Sequence, residues 1–496
     1  MSTSRNPSVP PSAQRISPEA ERVRWRILVV LLAAIFMTLV GVSIVNVALP
    51  SIQRGLDASN AAMQWVLAGY TLTFGVVLVA AGRAGDIMGR GGIFLIGVAI
   101  FTLSSVASGF APDALWLNTA RFIQGVGSGL LNPQGVGMIQ QYFRGAERGR
   151  AFGYFGTAVG FSVAIGPVLG GLLIKLGGPE IGWRLTFLVN IPIGILTFVL
   201  GWKWFPKPLI RPMKRQPASD NRPASNGVWD LDPIGSLLLG LAILALLFPF
   251  MTPQPGPLIW SLLPLGGLLT WLWVRWEKYY VRIGQKPMVD LNIFATPSFT
   301  NGTIIMSLYF LGMTSIWVLV ALYVQEGTGK TALESGMFGI PSALLSAYSA
   351  DWAGRRVHKY GRKVVIAGIS IALLGMGLSI LVVQLSHYGV ISVWWLLLSL
   401  SFVGIAQGSV ISPNQALTLE DVPIAYAGSS GAIMQTGQRI GTSVGIAVIT
   451  AVVFGMLSIG SWAAAVSTGF AVIMLIMSSA LYVAIKDQQD RKKRSN

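Results

Sequence analysis

The sequence predicts an all-α polytopic membrane protein with fourteen transmembrane helices, and three observations support this fold class. Hydrophobic residues make up 53% of the 496 residues and charged residues only 11%, against about 25% charged in ordinary soluble domains. The mean hydropathy is +0.64. The chain also contains a series of apolar segments that reach the length of about 20 residues needed to cross a bilayer.

The apolar segments fall into groups of six, two and six. The predicted helices lie at 25–49, 62–84, 91–110, 113–138, 148–175, 182–204, then 231–251 and 257–280, then 299–325, 332–352, 362–384, 389–412, 423–455 and 463–485. Residues 1–24 are polar and rich in Pro and Ser, and are predicted to be a disordered cytoplasmic tail. Residues 205–230 contain too many Pro and charged residues to span or pack, which predicts a cytoplasmic linker.

These segments predict an N-terminal six-helix bundle, two additional helices and a C-terminal six-helix bundle. The bundles cover residues 25–204 and 299–485, and the additional helices cover 231–280. Residues 281–298 form a cytoplasmic connection, and 486–496 a basic cytoplasmic tail.

Basic residues are concentrated on one side of this layout, and they predict its orientation. The formal net charge is +17, and most of the 36 Lys and Arg residues fall in the loops on the side of both termini. The opposite loops carry Arg54, Lys175 and Lys330. Because basic loops face the cytoplasm, both termini are predicted to be cytoplasmic, in the inner cell membrane. The positive charge thus indicates a lipid bilayer as the partner, and not nucleic acid.

The residue inventory excludes several classes of site. Cysteine is absent, so disulfides and thiolate chemistry are excluded, and two histidines cannot form a metal-binding cluster. No GxxxxGK[ST] motif indicates ATP binding. We therefore expect a protein that is not an enzyme and uses neither a metal nor a cofactor.

Two short loops indicate that the six-helix bundles are internal repeats. GRAGDIMGR (Gly82 to Arg90) follows helix 2 and GRRVHKYGR (Gly354 to Arg362) follows helix 10, each with Gly-Arg pairs at both ends. Paired halves of this kind predict a substrate site between them near the bilayer midplane, with alternating access by rocking.

Further motifs occur in an order that resembles one family over residues 25–485. They are SIVNVALPSI (Ser43 to Ile52), GRAGDIMGR, RFIQGVGSGLLNPQ (Arg121 to Gln134), GFSVAIGPVLGG (Gly160 to Gly171), GWRLTFLVNIPIG (Gly182 to Gly194) and TGQRIGTSVGIAV (Thr436 to Val448). The chain resembles the fourteen-helix drug:proton antiporter branch of the major facilitator superfamily, of the multidrug efflux type. The resemblance implies the major facilitator fold and a role in antibiotic resistance.

In the family the loop after helix 2 acts as a conformational latch. The residues that match it are Gly82, Arg83, Asp86, Gly89 and Arg90, with Gly354, Arg355, Gly361 and Arg362 in the second half. Two departures weaken the match, because Ile87 replaces a usual basic residue and His358 a usual Asp. A basic loop that only sets topology is the alternative interpretation.

The glycine- and proline-rich helix 5 marks exporters in the family. Its motif residues are Gly160, Gly166, Pro167, Gly170 and Gly171. Gly costs about 1 kcal/mol and Pro about 3 kcal/mol inside a soluble helix, but membrane helices tolerate both and use small residues for close packing. Pro167 is expected to bend the helix. An ordinary kinked span is the alternative.

Several polar residues inside predicted helices are candidates for the substrate cavity or for coupling. Arg121 has Gln124 one turn further along helix 4, and an Arg in hydrocarbon costs roughly 2.5 to 3.5 kcal/mol on insertion scales, so it should face a cavity or a partner. Snorkelling to the interface is the alternative. Gln435 and Arg439 share a face of helix 13, and they line a cavity or join helices by hydrogen bonds. The same two interpretations apply to Asn46 and Tyr70.

The largest departure from the family lies in helix 1. The fourteen-helix branch has a membrane carboxylate two residues before the Ser of SIVNVALP, where this chain has Gly41. A glycine cannot bind a proton, so coupling through helix 1 is not supported. Asp351, in predicted helix 10, is the replacement candidate, and pairing with Arg355 or Arg356 near the helix end is its alternative role.

Three functional hypotheses follow. The resemblance implies a monomeric secondary exporter of lipophilic or amphipathic small molecules, with proton antiport left open. A lipid or glycolipid translocase, or an uncoupled facilitator, is the second hypothesis, because of Gly41 and the two added helices. A non-transporting membrane sensor or scaffold is the third, because of the basic linker and tail.

Overall fold

A computed structural model describes residues 18–211, 231–252 and 256–495, and these contain fourteen helices of 15 or more residues. They are α1 (Pro18–Gly55), α2 (Asn60–Met88), α3 (Arg90–Gly109), α4 (Ala114–Tyr142), α5 (Gly145–Leu188), α6 (Asn190–Trp204), α7 (Pro233–Met251), α8 (Leu262–Arg282), α9 (Pro297–Leu322), α10 (Ile340–Tyr360), α11 (Arg362–His387), α12 (Leu396–Thr418), α13 (Ala427–Leu457) and α14 (Trp462–Ser495). Short helices at Pro257–Trp260 and Ala332–Met337 precede α8 and α10.

Twelve helical segments of the described residues are long and apolar enough to cross a membrane. The two long helices that fall outside this group are α4 and α10. Helix α4 contains the buried polar side chains of Arg121, Gln124 and Gln134, and α10 ends in a charged segment. The polar residues lower the hydropathy of both helices. That all fourteen helices cross the bilayer stays a prediction.

The helices pack as two bundles that meet along a seam. In the N-terminal half α1 packs along α5, while α2 and α3 pack on α4. In the C-terminal half α12 packs on α10 and α11, and α9 packs on α13. Helix α5 crosses the seam to α10 and α12, and α13 crosses it to α2 and α4. Helices α7 and α8 pack on each other, and α7 reaches α2 and α13, so the additional pair borders the seam.

The first and last helices extend beyond their predicted ends. Residues 18–24 belong to α1 and residues 486–495 to α14, where tails were expected. Arg24 pairs with Glu147 of α5 at 2.5 Å, and Asp487 is 1% exposed, so tertiary contacts hold these turns. The rest of the predicted N-terminal tail, residues 1–17, lies outside the described residues.

The start of the linker packs on the protein, which corrects the prediction that residues 205–230 do not pack. Phe205 is buried and its ring centroid lies 5.5 Å from that of Phe94 in α3. Leu209 O accepts a hydrogen bond of 3.0 Å from Gly92 N. Residues 212–230 lie outside the described residues.

The backbone of α5 departs from helical geometry at Gly178 and not at Pro167. Gly178 has φ 70° and ψ −171°, a conformation that favours glycine, and it separates two parts of the helix. Pro167 lies within continuous helix. That Pro167 bends the helix stays a prediction, and the interruption at Gly178 was not predicted.

Candidate functional site

Asp86, near the end of α2, caps the first turn of α13. Its Oδ1 accepts a hydrogen bond of 2.9 Å from Gly428 N, and its Oδ2 accepts bonds of 3.0 and 3.1 Å from Ser429 N and Oγ. The side chain is 1% exposed. A helix N-terminus presents unpaired N–H groups and about half a positive charge, so it stabilises a buried carboxylate. This cap joins the two halves at the face where α1 begins and α13 begins, which we call the terminal face.

Arg90, at the start of α3, reinforces the cap. Its Nη2 donates to Asp86 Oδ1 at 2.7 Å and to Ile424 O at 2.6 Å, and its Nη1 donates to Gln141 Oε1 at 2.5 Å. Gly89 turns the chain between α2 and α3 with φ +111°. Arg90 therefore binds groups of both halves, and its role in a conformational latch stays a prediction.

Gln140 and Gly82 add two further contacts between the halves. Gln140 Nε2 donates to Leu419 O and Val422 O, both at 2.9 Å. A Cβ at Gly82 would lie 2.6 Å from Gly428 O, so only glycine permits this approach of α2 to α13. We call the contacts of Asp86, Arg90 and Gln140 with residues 419–429 the terminal gate. It is closed in this structure.

The second predicted latch crosses the seam by close packing alone. A Cβ at Gly354 would lie 2.6 Å from both Gly149 O and Gly153 Cα of α5, and Gly361 turns the chain with φ +53°. Arg355 forms its ion pair with Asp351 of its own helix, at 2.8 Å, and makes no ion pair with the other half among the described residues. The first loop thus makes polar contacts with the other half, whereas the second loop contacts it by close packing.

Arg362 binds inside the C-terminal half. Its Nε donates to Asp487 Oδ2 at 2.6 Å, and its Nη1 donates to Asn414 Oδ1. Asp487 Oδ1 accepts from Asn301 Nδ2 at 2.8 Å. Arg362 therefore links α11, α12, α14 and α9, which stabilises one half and does not bridge the two.

Glycines of the helix 5 motif allow α5 to contact helices of both halves. A Cβ at Gly160 would lie 3.0 Å from Ala347 N of α10, whereas a Cβ at Gly166 would lie 2.5 Å from Ser43 Cβ of α1. A Cβ at Gly170 would lie 2.9 Å from Ile44 Cγ1 of α1. Gly171 differs, because a Cβ there meets nothing within 4 Å. All five motif positions lie in α5, and three of them, Gly160, Gly166 and Gly170, lie in close contact with α10 or α1.

This difference gives a matched prediction. Gly166→Val should lower both the folded yield and the transport rate, since its side chain overlaps Ser43, and overpacking a core typically costs about 1–3 kcal/mol. Gly171→Val carries the same change in helix propensity and should retain near wild-type yield. Thermal unfolding in detergent measures both variants. Equal loss at the two positions would contradict the packing argument.

Arg121 is held inside the N-terminal half. It is 1% exposed, its Nε donates to Val66 O at 2.9 Å, and its Nη1 donates to Gln124 Oε1 at 2.5 Å. Its guanidinium carbon lies 4.4 Å from the ring centroid of Tyr70. Tyr70 in turn bonds Ser128 at 2.7 Å between their oxygens. These contacts bury the guanidinium, which argues against snorkelling to the interface, and a functional role for Arg121 stays a prediction.

Arg439 of α13 brings a second guanidinium to the same region from the other half. Its guanidinium carbon lies 4.3 Å from the ring centroid of Phe74, and the Phe74 and Tyr70 centroids are 6.1 Å apart. Both arginines interact electrostatically with Tyr70. We call Arg121, Tyr70, Phe74 and Arg439 the central cluster. It joins two cations and two aromatic faces across the seam.

The remaining candidates do not join this cluster by contacts of the described residues. Gln435 is buried on α13, while Asn46 is exposed on α1. The Asp351 side chain is 30% exposed and pairs with Arg355, as in the helix-end alternative. Its placement does not favour a role as a buried proton carrier.

Gly41 occupies a buried position with little room. A Cβ there would lie 3.3 Å from Phe101 and 3.4 Å from Asn190 Nδ2. A carboxylate at this position would need Phe101 to move. The packing of α1 is thus adapted to the absence of the acidic residue.

Several buried polar residues of these regions were not singled out from the sequence. Gln140, Ser429 and Asp487 form polar contacts that depend on which helices meet. The buried acids Asp232 and Glu277 lie at predicted helix ends, where a charge is unremarkable. Only the pairing of distant segments in the fold gives these residues a role.

Known proteins agree with this architecture. The chain matches the Major Facilitator Superfamily over residues 31–446. It is 30% identical over 451 residues to the probable actinorhodin transporter of Streptomyces coelicolor, which covers 90% of this chain and 75% of that protein. It is 29% identical over 444 residues to the puromycin resistance protein pur8 of Streptomyces alboniger, with coverage of 87% and 82%.

A solved structure supports the fold. The human organic anion transporter MFSD10 superposes with a TM-score of 0.65, at 14% sequence identity, over 93% of this chain and 99% of that one. At this identity the likeness concerns the fold alone. The predicted family and fold are therefore confirmed, and this multi-pass membrane protein belongs to the major facilitator superfamily of transporters.

Proposed function

We propose that this transporter exports aromatic, lipophilic small molecules across the cytoplasmic membrane as a monomer with both termini in the cytoplasm. The central cluster is the observation that carries the proposal. Arg121 and Tyr70 come from one half and Arg439 from the other, so a ligand bound here contacts both halves. Relatives named for puromycin resistance and for actinorhodin transport support export.

The charge of the central cluster favours neutral and anionic aromatic substrates over lipophilic cations. Two guanidinium groups lie over the Tyr70 and Phe74 rings, and no described ion pair neutralises either of them. A positive potential in a poorly hydrated site attracts anions and repels cations. The aromatic rings add apolar contact area for a flat ligand.

The terminal gate supports alternating access as the transport mechanism. It closes the terminal face through Asp86, Arg90 and Gln140, which are polar contacts that can break and reform. Opening this face requires the α2–α13 contacts to separate while each half keeps its own packing. Rocking of two bundles about a fixed central site has this requirement.

We expect transport of dyes by purified protein in liposomes under an imposed pH gradient. The dyes should be matched in size and ring system and differ in charge. Anionic and neutral dyes should be transported, and cationic dyes much more slowly, because of the two arginines. Arg439→Gln should reduce the difference in transport rate between anionic and cationic dyes. Lys175→Gln, at an exposed position on α5, should leave that difference unchanged. Absence of transport of every dye under any gradient would overturn the proposal.

A lipid translocase is the second candidate, favoured by one groove. A cavity of about 480 Å³ between α10, α11 and α12 is lined mainly by apolar side chains, with Tyr348, Trp352 and Lys363 among them. Such a groove suits an acyl chain with an anionic headgroup near the lysine. Movement of labelled phospholipid between leaflets by purified protein would support this candidate.

A further inference from the structure

The two additional helices bring a pair of buried acidic side chains to the terminal end of the seam. Asp232 precedes α7 and is 0% exposed. Its Oδ1 accepts hydrogen bonds from Gly235 N at 2.9 Å and from Trp276 Nε1 at 2.8 Å. Glu277 of α8 is also 0% exposed. Neither residue belongs to the central cluster or to the terminal gate.

Glu277 is buried without the contacts that normally hold a carboxylate anion. The Trp273 indole and the Val289 backbone amide face it. Neither of its oxygens, however, makes a hydrogen bond of good geometry with any group in the described part of the chain. Isolated ionised carboxylates are very costly to bury, and proteins commonly avoid that cost by keeping such groups protonated. The site is therefore built to hold a proton.

The charged neighbours of Glu277 come from two other helices. Asp232, just before the start of α7, is an acidic residue like Glu277, and Arg83 of α2 carries the opposite charge. Asp232 accepts two hydrogen bonds through Oδ1, whereas neither oxygen of Glu277 accepts one of good geometry in the described part of the chain, so Glu277 is the better candidate to gain and lose a proton. Two carboxyl groups in one dry site rarely ionise together.

Arg83 connects this acidic pair to the terminal gate. It is 4% exposed and lies one turn before Asp86 on α2. It also interacts electrostatically with Tyr426, which precedes α13 and interacts with Asp86 and Asp290 as well. Arg83 therefore interacts both with Glu277 and with the residue that directly precedes α13.

We propose that Glu277 is a proton-binding site that couples proton movement to the terminal gate, in place of the carboxylate that Gly41 cannot supply. This inference rests on the proposed export function. With the gate closed, a proton occupies one Glu277 oxygen and Arg83 interacts with Tyr426. When the gate opens, the carboxylic acid releases that proton to water at the terminal face, and the resulting carboxylate attracts Arg83 away from Tyr426. After the gate has closed again, Glu277 takes up its next proton from the water on the opposite side of the membrane.

The test uses the full-length protein in liposomes. Glu277→Gln mimics the protonated side chain and cannot release a proton. Substrate exchange without a gradient should remain within about twofold of wild type, while accumulation driven by a pH gradient should fall by about 5- to 150-fold, the range typical of coupled sites. Substrate-dependent proton flux, followed with a pH-sensitive dye, should be lost in parallel.

Two variants serve as comparisons. Glu334→Gln should behave as wild type, since Glu334 lies in the short helix before α10 and its hydrogen bond from the Thr331 backbone amide lowers its pKa, which keeps it ionised. Asp351→Asn tests the competing acid. If wild type accumulates substrate and Glu277→Gln does so equally, or if only Asp351→Asn uncouples, the inference is overturned while export stands. If wild type moves no substrate, export itself fails.

A measurement on the unmodified protein avoids dependence on folding of a variant. A hydrophobic carbodiimide adds to protonated carboxyl groups in apolar surroundings, and mass spectrometry locates the adduct. We expect modification at Glu277 that decreases when the pH is raised. Modification at Asp351 with none at Glu277 would refute the proton site.

Discussion

Replacing Arg121 by Ala is expected to abolish transport while the protein still inserts into the membrane. The guanidinium donates to Val66 O and Gln124 Oε1 and lies over Tyr70, so one side chain holds α4 against α2. Each hydrogen bond to a charged group contributes about 1.5–3 kcal/mol, and a buried partner left without it adds a further penalty. Alanine also removes one of the two positive charges of the central cluster.

Arg121→Lys separates charge from geometry. Lysine keeps the positive charge but lacks the planar fork that bonds two acceptors and stacks on a ring. A desolvated cation–π contact is worth about 2 kcal/mol, which corresponds to about a 30-fold weaker apparent affinity if lysine loses it. Substrate counterflow in liposomes measures both variants, with Lys175→Ala as a matched loss of an exposed basic residue. Full activity of Arg121→Lys would show that charge alone suffices.

The apolar segments predict the order of the long helices because membrane thickness imposes a fixed length on them, although α4 and α10 fall outside the group that is apolar enough to span. The ends of the helices are predicted less well. The tenth helix is predicted at 332–352 and is observed at Ile340–Tyr360, because a capping box of Thr331 and Glu334 starts a separate short helix and Pro341 lies at the start of the next. Likewise, α14 continues past residue 485 because Arg362 neutralises the buried Asp487.

The residues of the candidate site also differ in how far the sequence alone predicts them. Arg121 and Asp86 are predictable because a charge in a membrane segment or a tight loop is unusual on its own. The polar contacts of Gln140 and Arg362 and the burial of Glu277 depend on which helices become neighbours, and a single sequence does not contain that information. Asp351 shows the converse, since its position inside an apolar window suggested burial, whereas the fold pairs it with Arg355 at a partly exposed position.

Asp86→Asn is expected to weaken the closed terminal gate and to slow transport strongly. The carboxylate accepts bonds from Gly428 N and Ser429 N on one side and from Arg90 on the other. Asparagine replaces one acceptor oxygen by an NH₂ donor and removes the charge that the helix N-terminus and the arginine stabilise. Losing about 3 kcal/mol of such contacts would shift the balance between closed and open gate by about 100-fold.

The absence of cysteine allows this shift to be measured directly. Ser430 is 0% exposed behind the gate, so a Ser430→Cys reporter should react slowly with a maleimide applied at the terminal face. Adding Asp86→Asn should speed labelling, since the first turn of α13 loses its cap. Asp490→Asn removes an acid of α14 at the same face and should leave labelling unchanged. If closing the terminal face is a required step of transport, the Asp86→Asn protein should be labelled faster and should transport more slowly. Faster labelling with an unchanged transport rate would show that closing this face is not a required step.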